Sequence, residues 1–577
     1  MNRLRRIPGL KTGPGLSLLK PSGIGAVHQV LDMWEGVIRS SFVVDTCSIS
    51  VETCVHPELD QIAARIRSPD LQRSGRGIAF DFPYGCTEWG KTACDWNSPD
   101  RHRSLILSRK ANDVIIERQL DTTIYRVRIR WKGDGAFRKT GKHSFLLEIR
   151  GGRVFEFSCC FSPDTEPGGE PVPRTFRKSR RHWRRFWLSG GAVDLSGSSH
   201  GDAEELERRI VLSQYLTAVQ CSGALPPQKT GLTCNSWFGK FHLEMHCWHA
   251  VHFALWGRPE MLERSLPWYH SILPVAGKQA DLQGYEGVRW PKMASPDGRD
   301  SPSGIGVFLR WQQPHPIDYA ELLYRIHKDA HVLERYRERV FRTAHFMSSY
   351  ACRDRDTGQY NPGPPLIPAQ EIYPPARTRN PAFELVYWKF GLETAQRWRE
   401  RLGLDRNPEW DRIIRHLAPL PVNNGLYQNA ETAMNTFLDA THRNDHPALL
   451  GAFGMLPNDD VDREMMGRTL EQVPVSWNWQ STWGWDYPLM AMTAARTGRP
   501  ELAVKALLMK TEKNIWLNNG HNYQTDALPV YLPGNGGLLA AVAMMAAGWD
   551  AAPERNAPGF PDDGRWVVVH EGLIPMP

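Results

Sequence analysis

The chain has 577 residues, more than one compact core accommodates, so the sequence predicts about two to four structural units. Its 41% hydrophobic and 23% charged residues are ordinary for a soluble globular protein and exclude a disordered chain. The net charge of +7 is too small for this length to indicate nucleic acid as a partner, and no stretch approaches the roughly 18 apolar residues of a membrane span.

The N-terminus lacks the apolar segment of a secretory signal, and the ten cysteines form no CxxC pair. We therefore predict neither a disulfide framework nor a zinc ribbon, and no membrane partner. The compartment and the oligomeric state are not readable from the sequence.

Residues 1–165 have the pattern of β-strands and are predicted to form an antiparallel β-sandwich. Stretches of β-branched and aromatic residues alternate there with turn signals such as Gly133-Asp134-Gly135. The first forty residues are less regular, which leaves open whether the sandwich is complete at its N-terminus. The strand candidates are Ser41–Val55, Val114–Ile116, Thr123–Trp131, His143–Ile149 and Val154–Phe161.

Residues 166–200 are rich in Pro, Gly, Ser and Arg and are predicted to be a linker. Within them, Arg174–Phe186 is a basic run with interleaved aromatic residues. Such a run could follow a phosphate backbone, but a solvated linker between domains is the preferred interpretation.

From residue 201 to residue 550 the pattern is helical. Several helices begin with proline at the first position and glutamate in the first turn, as at Pro259, Pro408 and Pro500. The predicted helices are Glu204–Gly223, Leu243–Trp256, Pro259–Ile272, Ile317–Ile326, His331–Tyr350, Ala382–Arg401, Pro408–Leu417, Glu431–Thr441, Asp460–Glu471, Pro488–Thr497, Pro500–Glu512 and Gly537–Ala547.

These helices differ in how much apolar surface they carry. Leu243–Trp256 and Gly537–Ala547 are apolar almost all round, whereas Ala382–Arg401 has a polar face. An inner ring of buried helices inside an outer ring of amphipathic ones produces this alternation, so we predict an (α/α)6 toroid of six helical hairpins. A helical solenoid is the alternative, but no fixed sequence period supports it.

Residues 551–577 are predicted as a C-terminal tail with one strand, Gly564–Gly572, which returns to the linker or to the sandwich. The predicted fold class is therefore multidomain α+β, with an antiparallel β-sandwich followed by the toroid.

The long loops between the helices concentrate tryptophan with histidine, asparagine and glutamine. Sugars offer apolar C–H faces to aromatic rings and hydroxyl groups to polar side chains, so such loops suit a carbohydrate. For any single tryptophan, packing in a large helical domain is the simpler explanation, but the cluster favours a ligand surface. Its members are Trp237, Trp248, Trp290, Trp311, Trp477, Trp479, Trp483 and Trp485.

Glu371 is the candidate proton donor for glycoside cleavage. It follows a proline-rich apolar loop, and apolar surroundings keep a carboxylic acid protonated. The structural alternatives are that Glu371 caps the helix beginning near Pro381 or pairs with Arg377 or Arg379.

Four histidines lie within one segment: His242, His246, His249 and His252. Their order is H-x-E-x-H rather than the H-E-x-x-H of zinc proteases, and no cysteine motif supports a metal. Sugar-binding or buried, hydrogen-bonded histidines are favoured over a metal site. We predict no metal and no other cofactor.

Several long stretches resemble the six-hairpin glycosidases, especially proteins grouped with glycoside hydrolase family 65 and, more remotely, the inverting fucosidases of family 95. The resemblance implies an N-terminal supersandwich, a helical linker and an (α/α)6 barrel that binds a glycoside at its loop end. The stretches that carry it are residues 28–42, 55–69, 235–260, 283–303, 311–317, 368–388, 446–457 and 531–545.

The resemblance also implies site residues. The general acid of the family matches Glu371, and the element that grips the cleaved sugar matches Lys240–Trp248, where His242-Leu243-Glu244 replaces a Trp-Asp pair. The element Gly284–Pro291 departs from the family by Glu286 in place of a common lysine. The predicted carbohydrate-binding residues are His242, Glu244, Trp248, Arg289, Trp290, Gln313, His315, Trp479 and Trp485.

The second catalytic group is less defined. Asp526 in Tyr523-Gln524-Thr525-Asp526 resembles the base of the family 95 enzymes, but alignment on the glycine-rich segment places Pro533 there, and Glu512 is a further candidate. We predict an inverting glycoside hydrolase with Glu371 as acid and Asp526 as base. The alternatives are an inverting disaccharide phosphorylase, which needs no protein base, and a non-catalytic carbohydrate-binding relative.

Overall fold

The computed structural model describes residues 24–44, 46–71, 77–86, 88 and 93–577. The chain divides into two compact units, Met1–Ser189 and Gly190–Pro577.

Within its described residues, the first unit contains thirteen strands and one helix. The strands are β1 Ile24–Asp32, β2 Val37–Val44, β3 Cys47–Val55, β4 Gln61–Arg67, β5 Gly77–Asp81, β6 Tyr84–Gly85, β7 Cys94–Asp95, β8 His102–Lys110, β9 Asp113–Leu120, β10 Thr123–Lys132, β11 Gly135–Lys139, β12 Ser144–Ile149 and β13 Val154–Ser162, and the helix is α1 Val172–Leu188.

Two antiparallel sheets form the predicted sandwich. The larger has the order β1-β2-β3-β4-β13-β10-β9-β8, and the smaller has the order β11-β12-β5. On β10 the buried Val127, Ile129 and Trp131 alternate with arginines, and these apolar side chains share one core with Phe145 and Leu147 of β12. The prediction of an antiparallel sandwich is thus confirmed.

Two details of this unit differ from the sequence prediction. Ser41–Val55 falls in two strands, β2 and β3, that pair directly with each other. The basic run at 174–186 is not a solvated linker, because it lies in α1, whose Phe176 packs on Val37 and Ala63 of the larger sheet. Its arginines occupy the exposed face of an amphipathic helix, and this placement explains both the charge and the aromatic residues.

The second unit is mainly helical. Its α-helices are α2 Ala203–Cys221, α3 His246–Leu255, α4 Pro259–Glu263, α5 Leu266–Ser271, α6 Leu273–Leu282, α7 His315–His327, α8 Ala330–Tyr350, α9 Ala382–Arg401, α10 Pro408–His416, α11 Gly451–Gly454, α12 Arg463–Ser476, α13 Asp486–Arg496, α14 Pro500–Leu507 and α15 Leu532–Ala547. Its short strands are β14 Ala192–Asp194, β15 Phe241–His242, β16 Met293–Ala294, β17 Cys352–Arg353, β18 Tyr360–Asn361, β19 Val422–Asn423, β20 Leu426–Tyr427, β21 Ile515–Trp516, β22 Asn522–Tyr523 and β23 Val569–Glu571.

Six of these helices form a closed inner ring. In the order α3, α7, α9, α11, α13 and α15, each contacts the next, and α15 returns to contact α3. Outside them, α2, α4, α8, α10, α12 and α14 pack against members of the inner ring. The arrangement is the predicted toroid of six hairpins.

The inner helices are the buried ones. Every residue of α13 is buried, and so is all of α15 except its last residue, Ala547. Glycine lets α15 approach α3 closely, since a Cβ on Gly536 would lie 1.8 Å from the backbone oxygen of Trp248. Burial all round marks α13 and α15 as inner helices, but α9, for which a polar face was predicted, also belongs to the inner ring and exposes Glu400 and Arg401 at its end.

Some predicted helices differ in extent. Glu431–Thr441 is not an α-helix but contains the 3-10 turn Glu431–Ala433, because side chains compete for its backbone hydrogen bonds: Thr436 and Gln428, for example, bind backbone groups there. Pro259–Ile272 is interrupted between α4 and α5, where Pro267 cannot donate a helical hydrogen bond.

The observed C-terminal strand, β23, is shorter than the predicted Gly564–Gly572. Of the two partners expected for it, the linker and the sandwich, the structure shows the linker. β23 pairs antiparallel with β14, which lies in the residues predicted as the linker. Within the described ranges, none of the helices combines the length and apolar composition that a membrane crossing requires.

Candidate active site

Charged side chains gather where the inner helices begin. They lie in the segments just before α3, α7, α9 and α11, in the first turn of α13, and in the residue before α15. Because these segments precede neighbouring members of one ring, their side chains meet on one face of the toroid. The group comprises His242, Glu244, Lys292, Glu371, Asp445, His446, Asp486 and Tyr531, with Lys229 from the loop after α2.

Glu371 lies in this group as predicted from its loop. The Lys292 ammonium donates to both of its carboxylate oxygens, at 2.5 and 2.6 Å. The Glu371 backbone N–H donates to Asp445 Oδ2 at 3.1 Å. Its carboxylate does not pair with Arg379, which binds Asp354 instead. The burial of Lys292 lowers its pKa, but the negative charges of Glu371 and Glu244 outweigh that effect and raise it.

A second part of the site links two aspartates through a histidine. His446 Nδ1 lies 2.9 Å from Asp486 Oδ1, and His446 Nε2 lies 3.5 Å from Asp445 Oδ1. Burial would lower the pKa of His446, but the two carboxylates raise it. A charged imidazolium between Asp445 and Asp486 is therefore the favoured state.

The backbone fixes Asp445 firmly. Its φ is +61°, a left-handed conformation that aspartate tolerates better than most residues. Its N–H donates to Ser481 Oγ at 2.8 Å, and its carbonyl accepts from Trp477 Nε1 at 2.8 Å. Strain of this kind persists only where surrounding contacts hold it, and such places are often functional.

A third part is centred on Glu244, which is completely buried. His242 Nδ1 lies 2.9 Å from Glu244 Oε1, and the Lys229 ammonium lies 3.5 Å from the same oxygen. Burial would raise the pKa of Glu244, but these two neighbours lower it well below its usual range. Glu244 Oε2 has no hydrogen-bond partner among the described residues, so a buried acceptor is left for a ligand.

Tyr531 shows that the three parts share one site. Burial raises the pKa of its phenol, and the negative charges of Asp486, Glu244, Asp445 and Glu371 raise it further. The contacts of one indole agree with this: the ring of Trp483 lies 5.5 Å from Tyr531, 6.4 Å from the His446 ring and 5.7 Å from the Lys229 ammonium.

Tryptophan rings surround these charges. Trp485 stacks with Trp248 at a centroid distance of 5.4 Å and lies 4.2 Å from the ring of His446. The Lys229 ammonium lies over Trp237 at 4.5 Å and near Trp483 at 5.7 Å. The indole N–H groups of Trp248 and Trp485 are buried without a partner among the described residues. The site therefore offers apolar faces together with unused donors and acceptors.

Such an arrangement can carry out acid–base chemistry on a polyhydroxylated molecule. Glu371 and Asp445 each keep 18% of the side chain exposed, so solvent and a ligand reach them. Asp486 and Glu244 have fully buried side chains. Their exposure therefore allows Glu371 and Asp445 to contact a reacting molecule, while the buried Asp486 and Glu244 can support them.

Other predicted carbohydrate-binding residues lie behind the site. Gln313 accepts from the Trp290 N–H and donates to the Val288 carbonyl, and His315 bonds to Tyr387 and the Glu244 carbonyl. Arg289 donates to several backbone carbonyls of the same region. These side chains hold the loops that carry Glu244 and Lys292, and direct contact of Arg289, Trp290, Gln313 or His315 with a sugar stays a prediction.

Asp526 and Trp479 are placed apart from the described contacts of Glu371. Asp526 is exposed and accepts from the Tyr523 hydroxyl at 2.7 Å. Trp479 donates to the Pro474 carbonyl and packs beside Tyr487. The fallback base, Glu512, lies in the 3-10 turn Glu512–Asn514. The role of Asp526 as base stays a prediction.

Several site residues were not predicted as such: Lys229, Lys292, Asp445, His446, Asp486 and Tyr531. Three of them were within reach, because Lys292, His446 and Tyr531 lie inside the stretches that carry the family resemblance. Asp445 and Asp486 gave no local signal, since their role depends on a histidine that bridges them across the ring.

Three of the four clustered histidines form side-chain hydrogen bonds, whereas neither ring nitrogen of the buried His249 has a partner among the described residues. His246 contacts Tyr269 and Ser265, and His252 contacts the His249 carbonyl. Burial lowers the pKa of His242 to about 4 and those of His246 and His252 to about 3.

These buried histidines predict sensitivity to acid. The unfolded chain binds protons below about pH 6.5, whereas the folded barrel resists protonation until about pH 4, so the free energy of unfolding should fall across that range. Each such histidine contributes about 1.4 kcal/mol per pH unit. We expect the melting temperature to drop steadily from pH 7 to pH 4.5 in calorimetry. His252→Gln should flatten the dependence by about one proton, and the exposed control His416→Gln should not; a melting temperature that is constant with pH contradicts the prediction.

The fold is shared with solved structures of carbohydrate-active proteins. No family model and no curated protein matches the sequence. A candidate kojibiose phosphorylase from the human microbiome is similar with a TM-score of 0.71 and 10% identity, over 91% of this chain and 76% of that chain. A bacterial glucoamylase complexed with acarbose is similar with a TM-score of 0.51 and 13% identity, over 93% and 87% of the two chains. At these identities the likeness concerns the fold alone, and the chain shares its fold with these two proteins.

Proposed function

We propose that the protein is a carbohydrate-active enzyme that cleaves the glycosidic bond of a small saccharide with inversion, and that Glu371 is its general acid. The observation that carries the proposal is the hydrogen bond of 3.1 Å from the Glu371 backbone to Asp445, which His446 links to Asp486 beside the ring of Trp485. Hydrolysis of a glycoside with inversion requires two carboxyl groups on opposite sides of the bond.

Glu371 protonates the oxygen of the leaving group. The Lys292 ammonium occupies both oxygens of Glu371, so the oxygen of the leaving group must displace it before it can contact the carboxyl group. A sugar oxygen that enters between the two groups displaces Lys292 from Glu371. Glu371 thus becomes available to the leaving group only when the substrate binds.

Asp445 activates the water. Its carboxylate accepts a hydrogen bond from the Glu371 backbone and is partly open to solvent, and its rigid backbone holds it in place. The chain Asp445–His446–Asp486 keeps its carboxylate oriented and can accept the proton that the water gives up. This assignment differs from the sequence prediction of Asp526, whose exposed carboxylate contacts Tyr523.

The substrate contacts follow from the unused groups. The indole N–H groups of Trp248 and Trp485 and the free oxygen of Glu244 meet sugar hydroxyls, and His242 orients that carboxylate. The rings of Trp237 and Trp483 supply faces for stacking. Such contacts suit the sugar unit that is cleaved.

Phosphorolysis is the second candidate, and one observation favours it. Two buried lysines, Lys229 and Lys292, lie beside the carboxylates of the site, and an inorganic phosphate nucleophile needs such positive charge. In that reaction Asp445 would not be required as a base.

The test is a panel of disaccharides incubated with the protein, with and without phosphate, and followed by ¹H NMR. Inverting hydrolysis gives a free sugar whose first-formed anomer is opposite to that of the substrate, in the absence of phosphate. Turnover that depends on phosphate and yields a sugar 1-phosphate supports phosphorolysis. Retention of anomeric configuration, or no turnover of any member of the panel, counts against the proposal.

A further inference from the structure

An open cleft of about 490 Å³ lies apart from the charged residues of the active site. It is lined by the indoles of Trp479 and Trp516, the side chains of Arg209 and Gln480, and the loop that contains Lys510 and Glu512. We call it the tryptophan cleft. Its volume lies in the range of ordinary small-molecule sites.

The chemistry of the cleft is that of a sugar site. Trp479 and Trp516 are both partly exposed, and their N–H groups are already bound, to Pro474 and to Asn514. Arg209 lies over the Trp516 ring at 5.3 Å and Tyr487 packs beside Trp479 at 5.4 Å, so the parts of the two rings that these side chains leave uncovered are what the cleft offers to a ligand. Large partly exposed indoles on a protein surface bind apolar faces such as the C–H face of a pyranose.

Polar groups accompany the two rings. Gln480, Lys510 and Glu512 are exposed, and their side chains form no hydrogen bond with any residue that the structure describes. They provide donors and acceptors of both signs. Arg209 is occupied by Glu205 and the Leu507 carbonyl, so it adds no free positive charge. The balance of charge suits a neutral ligand that carries many hydroxyls and does not suit a polyanion.

The cleft and the active site are built from the same two loops. The loop between α12 and α13 places Trp479 in the cleft and Trp483 in the active site. The loop after α14 places Lys510 and Trp516 in the cleft, while the Lys513 ammonium lies 5.7 Å from the ring of Trp483. The hydroxyls of Thr511 and Tyr487 join the two loops.

We propose that the tryptophan cleft binds the sugar units of a neutral oligosaccharide that lie beyond the bond cleaved at Glu371. The inference rests on the proposed function, and it deepens it by assigning a substrate longer than a disaccharide. Continuity through Trp483 and Lys513 carries a single saccharide chain from the site into the cleft. In this proposal, Trp479 binds carbohydrate, as predicted from the sequence, and does so in the tryptophan cleft.

The test uses ¹⁹F NMR of the full-length Glu371→Gln protein labelled with 5-fluorotryptophan, with Trp479→Phe and Trp516→Phe to assign the two resonances. The probes are pentasaccharides and disaccharides of α-1,4-, β-1,4- and β-1,3-linked glucose and of β-1,4-linked mannose. We expect at least one pentasaccharide to shift both resonances and to bind about tenfold more tightly than its disaccharide, since one stacked ring contributes about that factor. The proposal is overturned if no probe shifts these resonances.

Variants of the cleft residues distinguish the loss of a contact with the ligand from a general disturbance of the loop. Trp479→Ala should abolish the tenfold preference for the pentasaccharide, and the exposed Trp34→Ala in the first unit should preserve it. Because Trp479 also packs on Tyr487, the double variant Gln480→Ala/Lys510→Ala provides a milder change and should reduce the preference about threefold. An unaltered preference in both cleft variants contradicts the assignment. Cleavage that persists in Glu371→Gln would instead contradict the proposed function and would leave this binding result standing.

Discussion

Glu371→Gln is expected to lower kcat by about 10²-fold or more on any saccharide that the wild-type protein cleaves. General acid catalysis typically contributes this much, and glutamine keeps the shape of the side chain but supplies no acidic proton. KM should change little, because the amide still occupies the space of the carboxylate. The measurement is steady-state kinetics on the best disaccharide of the panel, with the fold checked by circular dichroism and calorimetry.

The control for this variant is Glu409→Gln, a carboxylate exposed in the first turn of the outer helix α10. It should retain wild-type kcat. Because glutamine leaves the Lys292 ammonium beside an amide, Glu371→Gln/Lys292→Met removes the unpaired cation and shows whether instability accounts for any loss. If Glu371→Gln keeps more than about a tenth of wild-type kcat, Glu371 is not the acid.

The effect should also depend on the leaving group. An aryl glycoside with a good leaving group needs little protonation, so Glu371→Gln should lose far less activity on it than on a disaccharide. A loss that is equal on both substrates would indicate a binding defect rather than a missing proton.

The fold was readable because local signals agree with the tertiary structure. Ala382–Arg401 is predicted and observed with identical bounds, since Pro381 ends the preceding loop and twenty residues follow that contain no proline and a single glycine, Gly391. β1 was missed because it is exposed almost throughout and shows no alternation of buried and exposed residues. An alternating pattern of apolar and polar residues arises where one face of a strand is buried. The edge strand β1 buries little of either face, so its sequence lacks that pattern.

The active site was readable only in part, and the reason is also physical. Glu371 has a distinctive local setting, so the sequence singles it out. Asp445 and Asp486 are forty-one positions apart in the sequence. His446 directly follows Asp445, but it contacts Asp486 only in the folded ring, so the sequence does not show that the two aspartates belong to one site. The hydrogen-bond partners of Gln313 and Arg289 are likewise fixed by folding, and the sequence alone does not distinguish a residue that holds a loop from one that holds a sugar.

Asp445→Asn is expected to lower the kcat of hydrolysis by about 10²-fold or more while it leaves substrate affinity within a few-fold. Asparagine preserves the hydrogen bond from the Glu371 backbone but cannot take a proton from water. The Asn444→Ala variant is the matched neighbour, because it alters the same loop through contacts with Ala440 and Asn478 and leaves both carboxylates in place. It should cost far less than Asp445→Asn.

The two assignments of the base predict opposite results. If the loss follows Asp526→Asn and not Asp445→Asn, the base is the residue predicted from the sequence, and the contacts around Tyr531 serve binding. Phosphorolysis gives a third pattern, since phosphate needs no protein base: Asp445→Asn would then retain phosphate-dependent turnover, and Lys229→Met and Lys292→Met would raise the KM for phosphate.

Because Asp445 is tied to Glu371 through one hydrogen bond and to Asp486 through His446, a hydrolase should show strong coupling between Asp445→Asn and His446→Gln, with a double variant no slower than the worse single one.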